Sequence, residues 1–158
     1  MAERIVINTA PSIALSRMDA LDVIGQLSLE FICPGEVRDE LDEGAAQGYP
    51  SIAPSWLAVV PLSTPLSPVS AASLDKGEAA VIQLAMEQGR LRVSIDELQG
   101  CRIAAALGLT VVGSLGLLAR AKTLGIVPAI RPLIEKAMKE GIHYHPDLVN
   151  RVLTAVGE

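Results

Sequence analysis

The sequence has few aromatic residues, little positive charge and only two cysteines, and each shortage narrows the range of functions. Aromatic residues make up 3% of the chain, which leaves few rings on which nucleic-acid bases could stack. The formal net charge is −5, so no overall positive field attracts RNA or DNA. Cys33 and Cys101 lack the paired spacing of a zinc site or a disulfide framework. Isolated thiols are typical of the reducing cytoplasm, where we expect the protein to reside.

Long apolar segments are also missing, which argues against a membrane protein. Residues 103–119 are uncharged, but Gly108 and Gly113 divide them, and a spanning helix would need the whole stretch. The β-branched residues between the two glycines indicate a short buried strand instead. Near the start of the chain, Glu3 and Asn8 interrupt anything that resembles the apolar core of a signal peptide.

What the sequence has in quantity is aliphatic side chains, arranged in alternating strand-length and helix-length segments. Apolar residues make up 50% of the chain, enough for a substantial core built mainly from Ala, Leu, Ile and Val. Short apolar runs predict strands at residues 4–7, 31–33, 56–60, 91–95 and 109–112. Strands that alternate with helices imply right-handed crossovers, which build a mainly parallel sheet with helices on both faces. The predicted fold class is therefore α/β, a three-layer α/β/α sandwich.

Capping residues and prolines predict where the helices begin. The predicted starts are at Asp19, Pro34, Asp75, Ser114, Pro128 and Pro146. Half of the prolines fall within residues 48–70, which we expect to be irregular apart from an edge strand at 56–60. We predict a single domain over residues 1–158, with a C-terminal helical extension at about 128–158.

Polar side chains follow several of the predicted strands. Asn8 and Asp96 come directly after strands and Ser114 comes two residues after another, so all three should lie at the carboxyl edge of the sheet. Glu40 and Glu78 lie on helices and could reach the same edge. Converging carboxylates repel one another unless a cation lies among them, and Mg²⁺ or Mn²⁺ prefers such oxygen ligands. Helix capping accounts for Asp96 without any ligand.

Five sequence blocks carry a resemblance to a known family. They are residues 5–16 (IVINTAPSIALS), 33–41 (CPGEVRDEL), 74–82 (LDKGEAAVI), 95–97 (IDE) and 111–118 (VVGSLGLL). In order and spacing these blocks resemble the PIN domain family, and within it a PIN-like subgroup long described as a domain of unknown function. The resemblance extends over nearly the whole chain and implies the PIN-like form of the α/β/α sandwich.

The resemblance implies a metal-dependent ribonuclease, and many PIN domains are toxins paired with small antitoxins. By position, Asn8 matches the first acidic site, Glu40 the second, Glu78 the third and Asp96 the fourth. Ser114 matches the hydroxyl residue that supports the first site. In those roles Asn8 and Asp96 would hold Mg²⁺ or Mn²⁺, Glu78 would orient a metal-bound water, and Glu40 would bind the metal or its surroundings. The catalytic residues would be Glu40, Glu78 and Asp96, with RNA as substrate and an antitoxin and a second copy of the chain as partners.

Asn8 departs from the acidic residue that the family has at this position. An amide oxygen can bind a divalent ion but adds no negative charge, so it binds the ion more weakly than a carboxylate does. Three hypotheses therefore stay open. The protein is a metal-dependent ribonuclease, a PIN-fold RNA-binding or regulatory module with little or no catalysis, or a hydrolase of small phosphate esters.

Three further polar residues are candidates for contacts with a substrate. Thr9 and Ser12 could touch a phosphate at the N-terminus of the first helix, and they could equally cap that helix. Arg102 could reach a substrate phosphate from the helix after Asp96, or it could pair with a neighbouring acid such as Glu97.

The motif His143-Tyr144-His145 places both imidazoles on one side if the backbone is extended. A zinc site would need further ligands, for which Glu140 is the only nearby candidate, so a surface turn before Pro146 is favoured. The apolar side of the last predicted helix packs on the core or contributes to a dimer interface.

Overall fold

The central sheet of the computed structural model, which describes residues 3–158, contains four parallel strands. They are β1 (Glu3–Ile7), β2 (Leu29–Cys33), β3 (Leu57–Val59) and β4 (Arg92–Ser94). The spatial order is β3-β2-β1-β4, so β1 is central and β3 is at an edge, as predicted for the short strand near residues 56–60. Parallel pairing requires long crossover connections, and helices supply them.

Nine helices lie within residues 3–158 and cover the sheet. They are α1 (Thr9–Arg17), α2 (Leu21–Ile24), α3 (Gly35–Ala46), α4 (Pro68–Ser73), α5 (Lys76–Glu87), α6 (Leu98–Ala106), α7 (Ser114–Thr123), α8 (Arg131–Lys139) and α9 (Pro146–Ala155). Together with the parallel sheet they form a three-layer α/β/α sandwich, which confirms the predicted fold class. In the described part of the chain, no helix has both the length and the apolar character needed to cross a membrane.

The core is aliphatic, and its most buried helix carries an acidic residue inside. Ile5, Val6 and Ile7 of β1 are fully buried because helices cover both faces of the sheet. Every residue of helix α5 from 77 to 82 is buried. The small residues among them allow neighbouring elements to pack closely around this helix. This close packing takes Glu78 into the interior. The buried thiol of Cys33 is free, and burial raises its pKa to about 11.

The predictions for the strand at 109–112 and for the cap of α2 are wrong. The strand expected at 109–112 is reduced to a single bridge between Val93 and Val111, because β4 itself is only three residues long. Val93 N donates to the carbonyl of Thr110 and its own carbonyl accepts from Val112 N. Asp19 does not cap α2, since it has left-handed backbone (φ 54°) and its carboxylate pairs with Lys136.

The C-terminal part of the chain packs against the first and seventh helices. Helix α8 begins at Arg131, three residues later than predicted, with Pro132 rather than Pro128 in its first turn. The predicted start of α9 at Pro146 is confirmed. Helix α8 contacts α1, and α9 contacts α7. Arg17 of α1 also donates from Nη1 to the carbonyl of Glu140 at 2.7 Å, which ties the first helix to the end of α8.

Candidate functional site

The carboxyl ends of β1 and β4 bring Asn8 and Asp96 to the same edge of the sheet. The backbone N–H of Asn8 donates to the carbonyl of Ser94 at 3.0 Å, so the two strands remain bonded up to their last residues. The Asn8 side chain is 4% exposed, and its Oδ1 has no hydrogen-bond donor within the described residues. Such a buried oxygen is costly unless a water, an ion or a ligand meets it.

Asp96 is held by a chain of hydrogen bonds that ends in the C-terminal segment. Ser114 donates to both Asp96 oxygens, from its backbone N to Oδ1 and from its Oγ to Oδ2, each at 2.7 Å. The Ser114 hydroxyl is also 2.6 Å from the hydroxyl of Tyr144, which must be the donor because Ser114 gives its own proton to Asp96. Burial raises the pKa of Asp96, and the bonds from Ser114 partly offset that effect. The predicted cap of α7 is therefore wrong, because Gly113 occupies the N-cap and the Ser114 hydroxyl turns to Asp96 instead.

Glu78 is a buried carboxylate at the start of α5. Asp75 caps this helix as predicted, accepting from the backbone N–H of Glu78 at 2.8 Å. The Glu78 side chain is only 3% exposed, and its Oε2 lacks a donor within residues 3–158. Burial, followed by the neighbouring carboxylates of Asp75 and Glu97, raises the pKa of Glu78 to about 8.

Glu78, Asp75 and Glu97 form one cluster, which we call the acidic triad. One carboxylate oxygen from each of the three lies within 4.8 Å of the others. The group borders a shallow cavity of about 230 Å³ between α5, α6 and the end of α4. Among the residues described, this is the group in which three or more His, Cys, Asp or Glu side chains come close enough to share one metal ion. The sequence had indicated Asp75 only as a cap and Glu97 only as an ion-pair partner.

Glu40 approaches the same region from α3. Its Oε1 accepts a hydrogen bond from Thr9 Oγ1 at 2.9 Å, so Thr9 positions a carboxylate rather than standing free for a phosphate. Burial raises the pKa of Glu40 and the bond from Thr9 lowers it, with the first effect larger. The nearby charges that act on Glu40 include Asp75 and Lys76, which places it beside the first turn of α5.

Glycines allow the three predicted carboxylates to sit close to neighbouring helices and loops. A Cβ atom at Gly77 would overlap the carboxylate of Glu40, and one at Gly100 would overlap Glu78 Oε2. A Cβ atom at Gly113 would lie 2.9 Å from Asp96 Oδ1, closer than such atoms pack. Glu40, Glu78 and Asp96 form what we call the carboxylate rim. Each of these carboxylates lies in space that a side chain would occupy if the facing glycine were replaced by another residue.

The other residues proposed from the sequence contribute less to the site, and one residue that supports the site was not predicted. Ser12 is buried and donates to the carbonyl of Asn8 at 2.9 Å, as a residue within a first helical turn does. Arg102 is exposed and makes no ion pair with any residue from 3 to 158, so the alternative pairing with Glu97 is not formed. His145 accepts from Asp147 N at 3.1 Å and caps α9, as in a surface turn. The buried Tyr144 beside it was missed, and its only sequence signal was an aromatic residue in a polar turn.

Comparison with known protein families identifies the family of the chain. A family model described as a PIN domain matches residues 4–158. The chain belongs to the PIN domain family. Neither curated proteins nor solved structures gave a match. PIN domains are nuclease-type proteins that generally use divalent metals, and this PIN domain has an acidic cluster that could bind one.

The residues of this PIN domain fit a hard divalent cation. The candidate ligands Asn8, Glu40, Glu78 and Asp96 all offer oxygen atoms, and Asn8 Oδ1 and Glu78 Oε2 are buried without a partner in the described chain. The raised pKa values of Glu40, Glu78 and Asp96 arise first from burial, and a nearby cation would favour their ionised forms. Mg²⁺ and Mn²⁺ suit oxygen ligands, while the described cluster has neither histidine nor cysteine for zinc.

Proposed function

We propose that this PIN domain is a Mg²⁺- or Mn²⁺-dependent endoribonuclease that hydrolyses phosphodiester bonds at the carboxylate rim. The observation that supports it most is Glu78, a 3%-exposed carboxylate with an unsatisfied oxygen beside two further carboxylates. A buried and unpaired acid lowers stability by its desolvation alone. Groups held in this way, with perturbed pKa values in a cleft, are typical of functional sites.

Each residue of the rim has a role that follows from its contacts. Asp96 and Asn8 would hold the cation, since Ser114 fixes both Asp96 oxygens and Asn8 Oδ1 has no other partner in the described chain. A bound divalent cation lowers the pKa of water and stabilises the charge that develops on a phosphodiester. Glu78, whose pKa burial raises to about 8, is suited to accept the proton of the attacking water once a bound cation favours its ionised form. Glu40, fixed by Thr9, would complete the negative surroundings of the cation.

RNA as the substrate is proposed from membership of the PIN family. The role of toxin, the antitoxin partner, the homodimer and the cytoplasmic location stay predictions of the resemblance. They do not affect the chemistry at the rim, and each can be tested separately from it.

Cleavage of single-stranded RNA with Mn²⁺ tests the proposal directly. We expect the wild-type protein to cleave, EDTA to abolish cleavage, and Asp96→Asn to reduce the rate about 100-fold or more. Asp22→Asn is the matched control, because Asp22 is exposed on α2 and distant in sequence from the rim. Equal cleavage by the wild type and Asp96→Asn would contradict the proposal and indicate a contaminating nuclease.

Asn8 favours a second candidate, a PIN-fold RNA-binding or regulatory module with little catalysis. The amide removes one negative charge at position 8, whose backbone N–H bonds to the carbonyl of Ser94, two residues before Asp96. The substitution Asn8→Asp discriminates between the two: a ribonuclease should gain Mn²⁺ affinity and rate, whereas a binding module should gain neither. Hydrolysis of a small phosphodiester by the wild type in the absence of RNA cleavage would instead support the small-molecule hydrolase.

A further inference from the structure

The protein exposes one aromatic ring to a large extent, and it lies beside the carboxylate rim. The chain has one Phe, one Trp and two Tyr. Phe31 and Trp56 pack on each other with ring centroids 4.9 Å apart, and Tyr144 is buried under Ser114. Tyr49, in contrast, is 58% exposed. In a chain so poor in aromatic residues, the placement of this ring is informative.

Tyr49 stands at the wall of a cavity of about 410 Å³ between α1 and α3, which we call the Tyr49 cavity. Thr9 and Glu40 of the carboxylate rim, which are hydrogen-bonded to each other, are among its lining residues. Its apolar wall consists of Ile13, Leu41 and Ile52. A cavity of this volume is in the range of small-ligand sites and exceeds the size of one nucleobase. The cavity thus shares Glu40 with the carboxylate rim.

The guanidinium of Arg17 lies over the ring of Tyr49. The guanidinium carbon of Arg17 lies 5.5 Å from the ring centroid, in the range of a cation–π contact. Arg17 is itself anchored by its 2.7 Å bond to the carbonyl of Glu140. A planar guanidinium and an aromatic ring are the two kinds of side chain on which unpaired bases stack.

The polar groups of the cavity match the edge of a base better than a phosphate. Glu43 on α3 and Gln47, the residue that follows the end of this helix, both line the cavity, and neither side chain has a hydrogen bond within the described residues. Carboxylate and amide groups can pair with the amino, imino and carbonyl groups of a base. Glu40 and Glu43 together outnumber Arg17, so the lining repels an anion and accepts a neutral ring.

We infer that the Tyr49 cavity binds one unpaired base of the RNA strand whose phosphodiester lies at the carboxylate rim. The inference rests on the proposed function for its substrate class. It makes the protein selective for single-stranded RNA, since a base within a duplex cannot leave its stack to enter the cavity without loss of pairing. It also assigns Tyr49 as a residue that binds substrate and takes no part in the chemical step.

The test compares Tyr49→Leu with Tyr49→Phe, which keeps the ring and removes only the hydroxyl. Binding is measured by anisotropy of a labelled single-stranded RNA in EDTA, so that no cleavage occurs. We expect Tyr49→Leu to bind about 5- to 100-fold more weakly, the range for loss of one base–aromatic stack, and Tyr49→Phe to stay within about twofold of the wild type. Because Tyr49 is exposed, the fold should survive, which circular dichroism can check. Replacing single nucleotides by abasic ones should locate the bound base, since at that position the effect of Tyr49→Leu should disappear.

Two results would overturn the inference: equal RNA affinity for the wild type and Tyr49→Leu, or a loss in Tyr49→Leu that no abasic position removes. Cleavage separates this inference from the proposed function. If the wild type cleaves RNA while affinity is indifferent to Tyr49→Leu, the ribonuclease stands and the base site fails. If no cleavage occurs but binding depends on the ring, the base site stands and the ribonuclease fails. When both hold, Tyr49→Leu should raise KM and leave kcat nearly unchanged.

Discussion

Among single residues, Asn8 and Glu78 both reduce the negative charge of the site. Asn8 contributes a neutral oxygen where the family resemblance implies an acid, which reduces repulsion among the nearby carboxylates. Glu78 has its pKa raised to about 8, so near neutral pH and without a cation much of it is protonated. Both features keep the cation-free protein from carrying the full negative charge of the site. Cation binding must then compete with a proton, and affinity should increase with pH.

The raised pKa of Glu78 predicts how stability depends on pH. Between about pH 5 and pH 8 the folded protein retains a proton that the unfolded chain, with a pKa near 4.5, has released. The free energy of unfolding should therefore decrease as pH rises through this range. The total decrease should be about 1.4 kcal/mol for each unit by which the pKa in the folded protein exceeds the pKa in the unfolded chain. Urea unfolding in EDTA should show this decrease in the wild type and a much smaller one in Glu78→Gln.

The control for this measurement is Glu135→Gln, which removes an exposed carboxylate on α8 and should leave the pH dependence unchanged. Addition of Mn²⁺ at pH 8 should restore stability to the wild type and much less to Glu78→Gln. A wild type whose stability is flat or increases from pH 5 to pH 8 in EDTA would contradict the prediction.

For single residues, the sequence predicted the acids of the carboxylate rim better than the residues that surround them. Asp96 was predicted from its position after a strand, and Glu78 and Glu40 from the family resemblance. Glu97 joins Glu78 only because α6 packs beside α5, a contact that no local pattern encodes. Tyr144 reaches Ser114 across 30 residues of chain, so its role depended on tertiary packing.

Between elements, glycines set how closely α5 and α6 can approach. Gly100 on α6 faces the Glu78 carboxylate, and a methyl group there would overlap Oε2. The group that would have to move is the end of a flexible side chain, so the helices can keep their places while the carboxylate is displaced. Position 100 thus governs the geometry of Glu78 without any chemistry of its own.

Gly100→Ala should therefore separate stability from activity. Alanine favours a helix over glycine by about 1 kcal/mol, which should offset much of the cost of the displaced side chain. Mn²⁺ affinity and RNA cleavage should nonetheless decrease by about 10- to 100-fold, because a misplaced catalytic group loses most of its effect. Thermal unfolding and cleavage rates measure the two properties.

Gly35→Ala is the matched control, since a Cβ atom at the start of α3 would meet nothing within 4 Å. It should keep both cleavage and Mn²⁺ affinity. If Gly100→Ala cleaves RNA as fast as Gly35→Ala, then Glu78 does not need its observed position and the assigned role is wrong.

The arrangement of elements could be predicted to a large extent, and the errors have physical causes. Hydrophobic periodicity and the proline and glycine positions predicted the strand–helix alternation and thus the sandwich. The strand at 109–112 is only a bridge, since its partner β4 ends after three residues. Helix α4 was not predicted in the proline-rich segment 48–70, although Pro68 is well placed to begin a helix.

For the molecule as a whole, the C-terminal segment is part of the site. Tyr144 is buried and precedes α9, and its hydroxyl donates to Ser114, which donates to Asp96. Burial raises the pKa of Tyr144, so the hydroxyl stays protonated, and remains a donor, throughout the neutral range. Packing of the last helices is thereby connected to the carboxylate rim.

Tyr144→Phe should weaken both stability and the site. Loss of one buried hydrogen bond lowers the free energy of unfolding by about 1 kcal/mol, which corresponds to a decrease in Tm of roughly 2 to 4 °C for a chain of this size. Cleavage should decrease because Ser114 is less firmly oriented towards Asp96. Tyr49→Phe removes the same atom from an exposed ring and should change Tm little. Equal Tm values for the two variants would contradict the connection between Tyr144 and the carboxylate rim.

The edges of the sheet bear on how two copies of the chain can associate. β3 offers only three residues at its edge, and the flanking Pro54 and Pro61 have no N–H with which to extend a ladder. Of the N–H groups nearby, that of Leu57 already bonds to Pro54 and that of Val60 to Cys33. On the opposite side, the bridge to Val111 covers β4. A continuous intermolecular sheet is thus disfavoured at either end, so self-assembly into fibres by strand addition is opposed, and any dimer would have to form through side-chain surfaces of the helices.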